Sequence, residues 1–277
     1  HNNTLYLSSS TGLKKLKTDE NSLNQEFISV AENKIQTQTW KIAVNDNKLF
    51  IGSNKGLGFL NEKDEYLDFI EKKITGSIYT MKVSKLFPNM MLVGGKKGFS
   101  IINLTNKKVI KFPEIDIDRV WEISENNINQ EIFVRILKKG IFKINFKDLS
   151  NPESDYSISK YTLVDGLPDK YYDIRFLQVK GETLLSTDNG IYKFSKKEKK
   201  VVKDDRFSNI KHFKSKKILS YIELRNGDIW VATSERINNV RNVALFKINE
   251  KFQVKPIGID QDILNSFSRI NLNVIKN

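Results

Sequence analysis

Short apolar runs recur along the chain in pairs. The first member of each pair is a nearly continuous hydrophobic stretch ending mostly in small residues: Leu5–Ser9 (LYLSS), Leu49–Ser53 (LFIGS), Met91–Gly95 (MLVGG), Ile132–Ile136 (IFVRI), Thr183–Thr187 (TLLST) and Ile229–Thr233 (IWVAT). Such runs mark strands buried on both faces. A small residue opens the second member, in which apolar and polar positions partly alternate: Gly12–Leu16, Gly56–Leu60, Gly98–Ile102, Gly140–Ile144, Gly190–Phe194 and Ala244–Ile248. Between the two lie turn formers such as Asn54-Lys55-Gly56 and Asp188-Asn189-Gly190, where glycine supplies the positive φ of a tight hairpin.

The openers are separated by 44, 42, 42, 50 and 54 residues, the size of a four-stranded propeller blade. Upstream of each pair, five units carry a strand led by an aromatic residue: Trp40, Tyr79, Trp121, Tyr172 and Tyr221. Downstream comes a more polar strand such as Lys107–Phe112 or Lys199–Lys203. The pattern predicts an all-β fold, a β-propeller of four-stranded antiparallel blades, with residues 1–277 as a single domain. The first unit lacks its aromatic-led strand, and the C-terminal Ser268–Ile275 provides one extra. Six blades closed by that strand is the expectation, since closure leaves no open sheet edge. An incomplete seven-bladed propeller is the alternative.

Composition narrows the function by exclusion. No cysteine is present, so disulfides and thiolate chemistry are ruled out, and two histidines, His1 and His212, leave little for a zinc site or a histidine-based triad. Convergent catalytic acid and base groups, calcium loops and phosphate loops are not apparent, so a non-enzymatic binding propeller without metal or cofactor is expected, with a protein–protein interaction scaffold and a polysaccharide lyase-like enzyme as the alternatives. The balance of 46 Lys and Arg against 33 Asp and Glu gives a formal charge of +13, which attracts polyanions at long range. The basic residues are scattered and accompany no nucleic-acid motif, so a nucleic-acid partner is not expected. No stretch reaches the roughly 20 apolar residues of a membrane span, so membrane attachment would need a segment outside this chain.

The repeats resemble those of the two-component regulator propeller family. The residues that carry the likeness are Asp165-Gly166-Leu167-Pro168-Asp169-Lys170-Tyr171-Tyr172 with Gly181, Leu184–Thr187 and Asn189–Ile191, then Asn226–Thr233, then Leu49–Ser53 with Gly56-Leu57. The resemblance implies a bacterial sensor module on the periplasmic or extracellular side. It implies a ligand such as an oligosaccharide, with signalling domains of the same parent protein, or a second copy, as partners. Sensors of that family commonly carry more than six blades.

Two kinds of position are candidates for recognition. The aromatic leaders Trp40, Tyr79, Trp121, Tyr172 and Tyr221 either line a channel, where rings stack on sugar faces, or point between blades as core; recurrence in nearly every unit favours core. The arginines are the second kind. Arg236 and Arg241 flank an expanded hairpin, Glu235–Asn242, and could clamp a carboxylate or sulfate or simply stand in water. Arg119, Arg175 and Arg269 lie in or beside inner strands, where a cation must face a channel or find a partner; Asp118, Glu122 and Asp173 are the partners nearest in sequence. The lengthened segment Asp148–Tyr161 reads as a surface excursion.

Overall fold

A computed structural model of the chain describes residues 5–18, 25–30, 34–61, 63–71, 75–115, 118–168, 174–187, 189–207, 217–224, 226–237, 240–249 and 251–258. They form six antiparallel sheets, one for each repeat, with short 3-10 turns at Pro113–Ile115, Leu163–Asp165 and Asp205–Phe207. The fold is an all-β propeller, as the repeat predicts.

Blade 1 holds β1 (Tyr6–Ser9), β2 (Gly12–Thr18) and β3 (Gln25–Val30); blade 2 holds β4 (Thr39–Asn45), β5 (Lys48–Ser53), β6 (Gly56–Leu60) and β7 (Tyr66–Ile70). Blade 3 holds β8 (Ile78–Val83), β9 (Met90–Gly95), β10 (Gly98–Asn103) and β11 (Val109–Lys111); blade 4 holds β12 (Val120–Asn126), β13 (Glu131–Ile136), β14 (Gly140–Phe146) and β15 (Tyr156–Tyr161). Blade 5 holds β16 (Arg175–Val179), β17 (Glu182–Thr187), β18 (Gly190–Ser195) and β19 (Lys200–Lys203); blade 6 holds β20 (Lys217–Glu223), β21 (Ile229–Ile237), β22 (Val240–Ile248) and β23 (Val254–Ile257). Strands follow chain order within every sheet. Blade 1 has three strands among the described residues, and the C-terminal strand expected to complete it lies outside them.

The chain forms two compact units. One comprises residues 1–125, 130–137 and 142–159; the other comprises residues 126–129, 138–141 and 160–277. In the first unit the central strands bury alternate residues against opposite neighbours, which is why their sequences are apolar without interruption. Leu49 and Ile51 of β5 face a cluster with Leu13 and Val30 of blade 1, while Phe50 joins Ile78, Met81 and Met91 of blade 3. Leu92 of β9 turns the other way, toward Val120 and Ile132 of blade 4. In the second unit Leu177, Leu184 and Ile191 of blade 5 pack on Ile218, Ile229 and Val231 of blade 6.

Small residues at the ends of the second strands have a packing cause. A β-carbon added at Gly94 would stand 2.3 Å from Val120 Cγ1, and one at Gly52 would stand 2.7 Å from Ile78 Cγ2. Each glycine therefore makes room for the first residue of the next blade's inner strand, one position before Tyr79 or Trp121. The opener glycines adopt positive φ, from +81° at Gly98 to +131° at Gly12, as the hairpins require.

Two expectations are corrected. Ala244 does not open a turn: β21 and β22 are nine residues long, Thr233 pairs with Ala244 in mid-ladder, and pairing continues to Ile237 and Val240. Glu235–Asn242 is thus largely a two-stranded ribbon, which puts Arg236 directly opposite Arg241 in the register. The segment Asp148–Tyr161 is only in part an excursion, because Tyr156–Tyr161 forms the fourth strand of blade 4.

Candidate functional site: an aromatic cluster on three inner strands

The aromatic leaders of blades 2 and 3 owe their direction to the backbone. Thr39 pairs with Ser53 and Lys41 with Gly52, so Trp40 is the extra residue of a β-bulge. Ile78 pairs with Gly95 and Thr80 with Gly94, which makes Tyr79 the extra residue of the next one. A bulge bends the strand and re-aims the inserted side chain out of the ladder. A backbone bond marks the same place in blades 2, 3 and 4. Asn54 N–H donates to Gln38 O at 3.1 Å, Lys96 N–H to Ser77 O at 2.8 Å and Leu137 N–H to Arg119 O at 3.3 Å. Gln38, Ser77 and Arg119 stand two residues before Trp40, Tyr79 and Trp121.

The two re-aimed rings meet Trp121. Tyr79 and Trp121 stack with centroids 4.9 Å apart and planes 11° from parallel. Trp40 stands edge-on to both, 5.3 Å from Tyr79 at 82° and 5.8 Å from Trp121 at 85°. These are the offset and T-shaped geometries that ring quadrupoles favour. All three rings are half-buried. Trp40 Nε1–H donates to Asn54 Oδ1 at 3.0 Å, which ties its ring to the β5–β6 turn. Trp121 Nε1 is buried and has no hydrogen-bond partner.

Tyr221 does not belong to this set. In blade 6 Ile218 pairs with Thr233 and Ser220 with Ala232, so the bulge residue is Leu219. Tyr221 pairs with Val231, two positions further on, and packs on the core between blades 5 and 6. Its register equivalents are Ile42 and Met81, which are also core residues. Tyr172 lies outside the described residues.

The arginines are dispersed. Arg119 is exposed, and its backbone N–H donates to Asp118 Oδ1 at 2.7 Å. Arg175 opens β16, half-buried and opposite Ser186. Arg269 and Asp173 lie outside the described residues. Glu122 pairs instead with Arg135, whose Nε lies 3.2 Å from Glu122 Oε2 with the guanidinium side chain only 4% exposed. Glu125, on the same inner strand and 0% exposed, accepts hydrogen bonds from Ser84 Oγ and from the N–H groups of Lys85 at 3.1 Å and Leu86 at 3.3 Å, with Lys82 Nζ 3.1 Å away. Both groups escaped the sequence reading. Arg135 interrupts an apolar run, IFVRI, and a cation in a strand buried on both faces signals a buried partner.

No group of three or more His, Asp or Glu residues among the described residues could hold a metal, and no helix among them is long and apolar enough to cross a membrane.

No protein-family model and no curated protein matches the sequence. Solved structures do match in fold. The extracellular domain of the hybrid two-component system BT4673 from B. thetaiotaomicron superposes with a TM-score of 0.62 at 15% identity, over 96% of this chain and 33% of that one. The WD40 repeats of RRP9 match with a TM-score of 0.55 at 13% identity, over 92% of this chain and 76% of that one. A protein described as a 6-phosphogluconolactonase from Bacteroides uniformis matches with 0.55 at 12% identity, over 90% and 78%. The chain thus spans about one third of the length of the two-component extracellular domain, and its likeness to all three is a likeness of propeller fold.

Proposed function

We propose that this chain is a non-enzymatic sensor or ligand-binding propeller of the two-component regulator type, working outside the cytoplasm, and that the Trp40–Tyr79–Trp121 cluster holds its ligand. The cluster carries the reading. Bulges on two successive inner strands aim Trp40 and Tyr79 at each other, and Trp121 at the start of the next inner strand stacks on Tyr79, so three half-buried rings come together. Flat apolar surface beside polar turn groups suits the face of a sugar ring, so an oligosaccharide is the proposed ligand class. The likeness to a two-component extracellular domain over 96% of this chain supports the sensing role and the location. The ligand's effect would pass to signalling domains of the same parent protein.

The test uses the chromophores already present. Trp40 and Trp121 are two of three tryptophans, and Trp230→Phe leaves the cluster as the source of tryptophan emission. Oligosaccharide titrations of that variant, with calorimetry in parallel, are expected to shift the emission and to lose their effect in Trp121→Leu. Unchanged emission and no heat from neutral and acidic oligosaccharides alike would refute the reading.

A second reading, self-association, rests on blade 1. Leu5, Leu7 and Phe27 are 43%, 47% and 40% exposed, Leu5 just before β1 and Leu7 two residues further on within it. Sedimentation of the chain would show a dimer that Leu7→Lys dissolves; a monomer at all concentrations counts against it.

A further inference from the structure

We infer that the ligand of the aromatic cluster is an anion, specifically a sugar ring bearing carboxylate or sulfate, which rests on reading the cluster as the ligand site. The observation is that each of the three rings comes with its own cation on the same end of its blade. The turn whose Asn54 holds the Trp40 indole continues into Lys55, an exposed lysine whose Nζ donates to the Lys34 carbonyl. The turn whose Lys96 N–H bonds Ser77, two residues before Tyr79, is Lys96-Lys97, exposed at both positions. That turn lies against the start of the inner strand, since a β-carbon on Gly76 would be 3.1 Å from Lys97 Cγ. Arg119, exposed, stands two residues before Trp121. Asp118, which accepts from the Arg119 N–H, offsets part of this charge.

Coincidence of scattered lysines does not explain the pattern. The corresponding turns of blades 1 and 5 read Ser10-Thr11 and Asp188-Asn189, without a cation. In blades 2 and 3, where the bulge residue is aromatic, the turn carries lysine. Rings supply the apolar face, and the cations supply attraction that weakens with salt because the groups are solvent-exposed.

A matched pair of probes separates charge from shape: an oligogalacturonate and its methyl ester, with a sulfated galactan oligosaccharide and its desulfated form as the second pair. Calorimetry on the full chain is expected to show the charged member of at least one pair binding about tenfold tighter at low salt, with the preference reduced to about twofold near 0.5 M salt. Which pair shows it distinguishes carboxylate from sulfate. Lys55→Gln combined with Lys96→Gln is expected to erase the preference while leaving uncharged-member binding and the melting temperature unchanged. Trp121→Leu is expected to weaken both members. Equal binding of charged and uncharged members, or equal weakening of both in the lysine variant, overturns the charge inference alone. Absence of binding by all four probes overturns the ligand-site reading together with it.

Discussion

Blade 3 of the first unit and blade 6 of the second are built on one inner-strand register, blade 4 repeats their sequence pattern, and the three differ at the positions that decide what each can do. Blades 3 and 6 have an aromatic or aliphatic residue at the inner-strand bulge and a small residue opposite it, and blades 4 and 6 have a glutamate four positions after Trp121 and Leu219. In blade 6 the bulge holds Leu219, the small residue is Ala232 and the glutamate is Glu223. In the first unit the equivalents are Tyr79 or Trp121, Gly94 and Glu125. A leucine suffices at the bulge of blade 6, so the fold itself does not demand an aromatic ring there. The rings at the bulges of blades 2 and 3 are therefore not imposed by the fold.

The glutamates give the largest expected contrast. Glu125 accepts from the Lys85 N–H in the β8–β9 turn, and Glu223 accepts from the Lys180 N–H, at 3.2 Å, in the β16–β17 turn: the same contact made twice. Glu125 is fully buried and also serves Ser84, Leu86 and Lys82, whereas Glu223 is exposed. Chemical denaturation should show Glu125→Ala costing about 3 kcal/mol, since it strands buried donors. Glu223→Ala should cost well under about 1 kcal/mol, because water replaces the lost acceptor. Equal costs would mean that the two contacts have the same environment, contrary to their burial.

Next come the small residues. Gly94→Ala puts a methyl 2.3 Å from Val120 Cγ1 and 2.8 Å from Thr80 Cγ2, and both are short branched side chains with little freedom to yield. Overpacking of this kind is expected to cost about 2 kcal/mol. The reverse change in blade 6, Ala232→Gly, should cost about 1 kcal/mol through lost burial and a looser unfolded chain. Stabilisation by Gly94→Ala would show that the first unit can relax at this position.

Replacing Tyr79 by Leu imports the blade 6 solution into blade 3. Loss of one stacked and one edge-on partner should lower stability by about 1 kcal/mol. Ligand-dependent emission of the Trp230→Phe protein should disappear at the same time. A variant that keeps the emission response would remove the cluster from the site.

These positions show how far the sequence could be read. Strand runs, glycine openers and the division into six repeats were legible because burial on both faces and positive φ impose residue types directly. The aromatic leaders were legible as a set but not in register. A bulge adds one residue without changing composition, so anchoring on an aromatic aligned Tyr221 with Trp40, whereas the ladder aligns Leu219 with it. Tyr221 packs on the core between blades 5 and 6, whereas Trp40, Tyr79 and Trp121 pack on one another. Ala244 was counted as an opener because it is small and correctly spaced. The actual turn of blade 6 lies beyond Ile237, and nothing in local composition distinguishes a long ribbon from a short hairpin. Arg135 and Glu122 were missed as a pair because they meet across two strands, thirteen residues apart.

One remaining contrast has opposite signs in the two blades. Thr187 and Thr233 end the same run in blades 5 and 6, and both are buried. In blade 5 the Thr187 hydroxyl locks the two-residue turn: it donates to Gly190 O at 3.0 Å and accepts from Asn189 N–H at 3.1 Å. In blade 6 the ladder runs past Thr233, the turn that its hydroxyl would lock is absent there, and Thr233 Oγ1 is buried without a hydrogen-bond partner. Valine matches threonine in shape and removes only the hydroxyl. Thr187→Val should therefore destabilise by about 1 kcal/mol, and Thr233→Val should stabilise by a similar amount, because an unmet buried hydroxyl carries a desolvation cost that valine does not. Denaturant midpoints measured on both variants decide it. If both move in the same direction, the long ribbon of blade 6 is not the cause of the unsatisfied hydroxyl, and the correspondence of Thr233 with Thr187 fails.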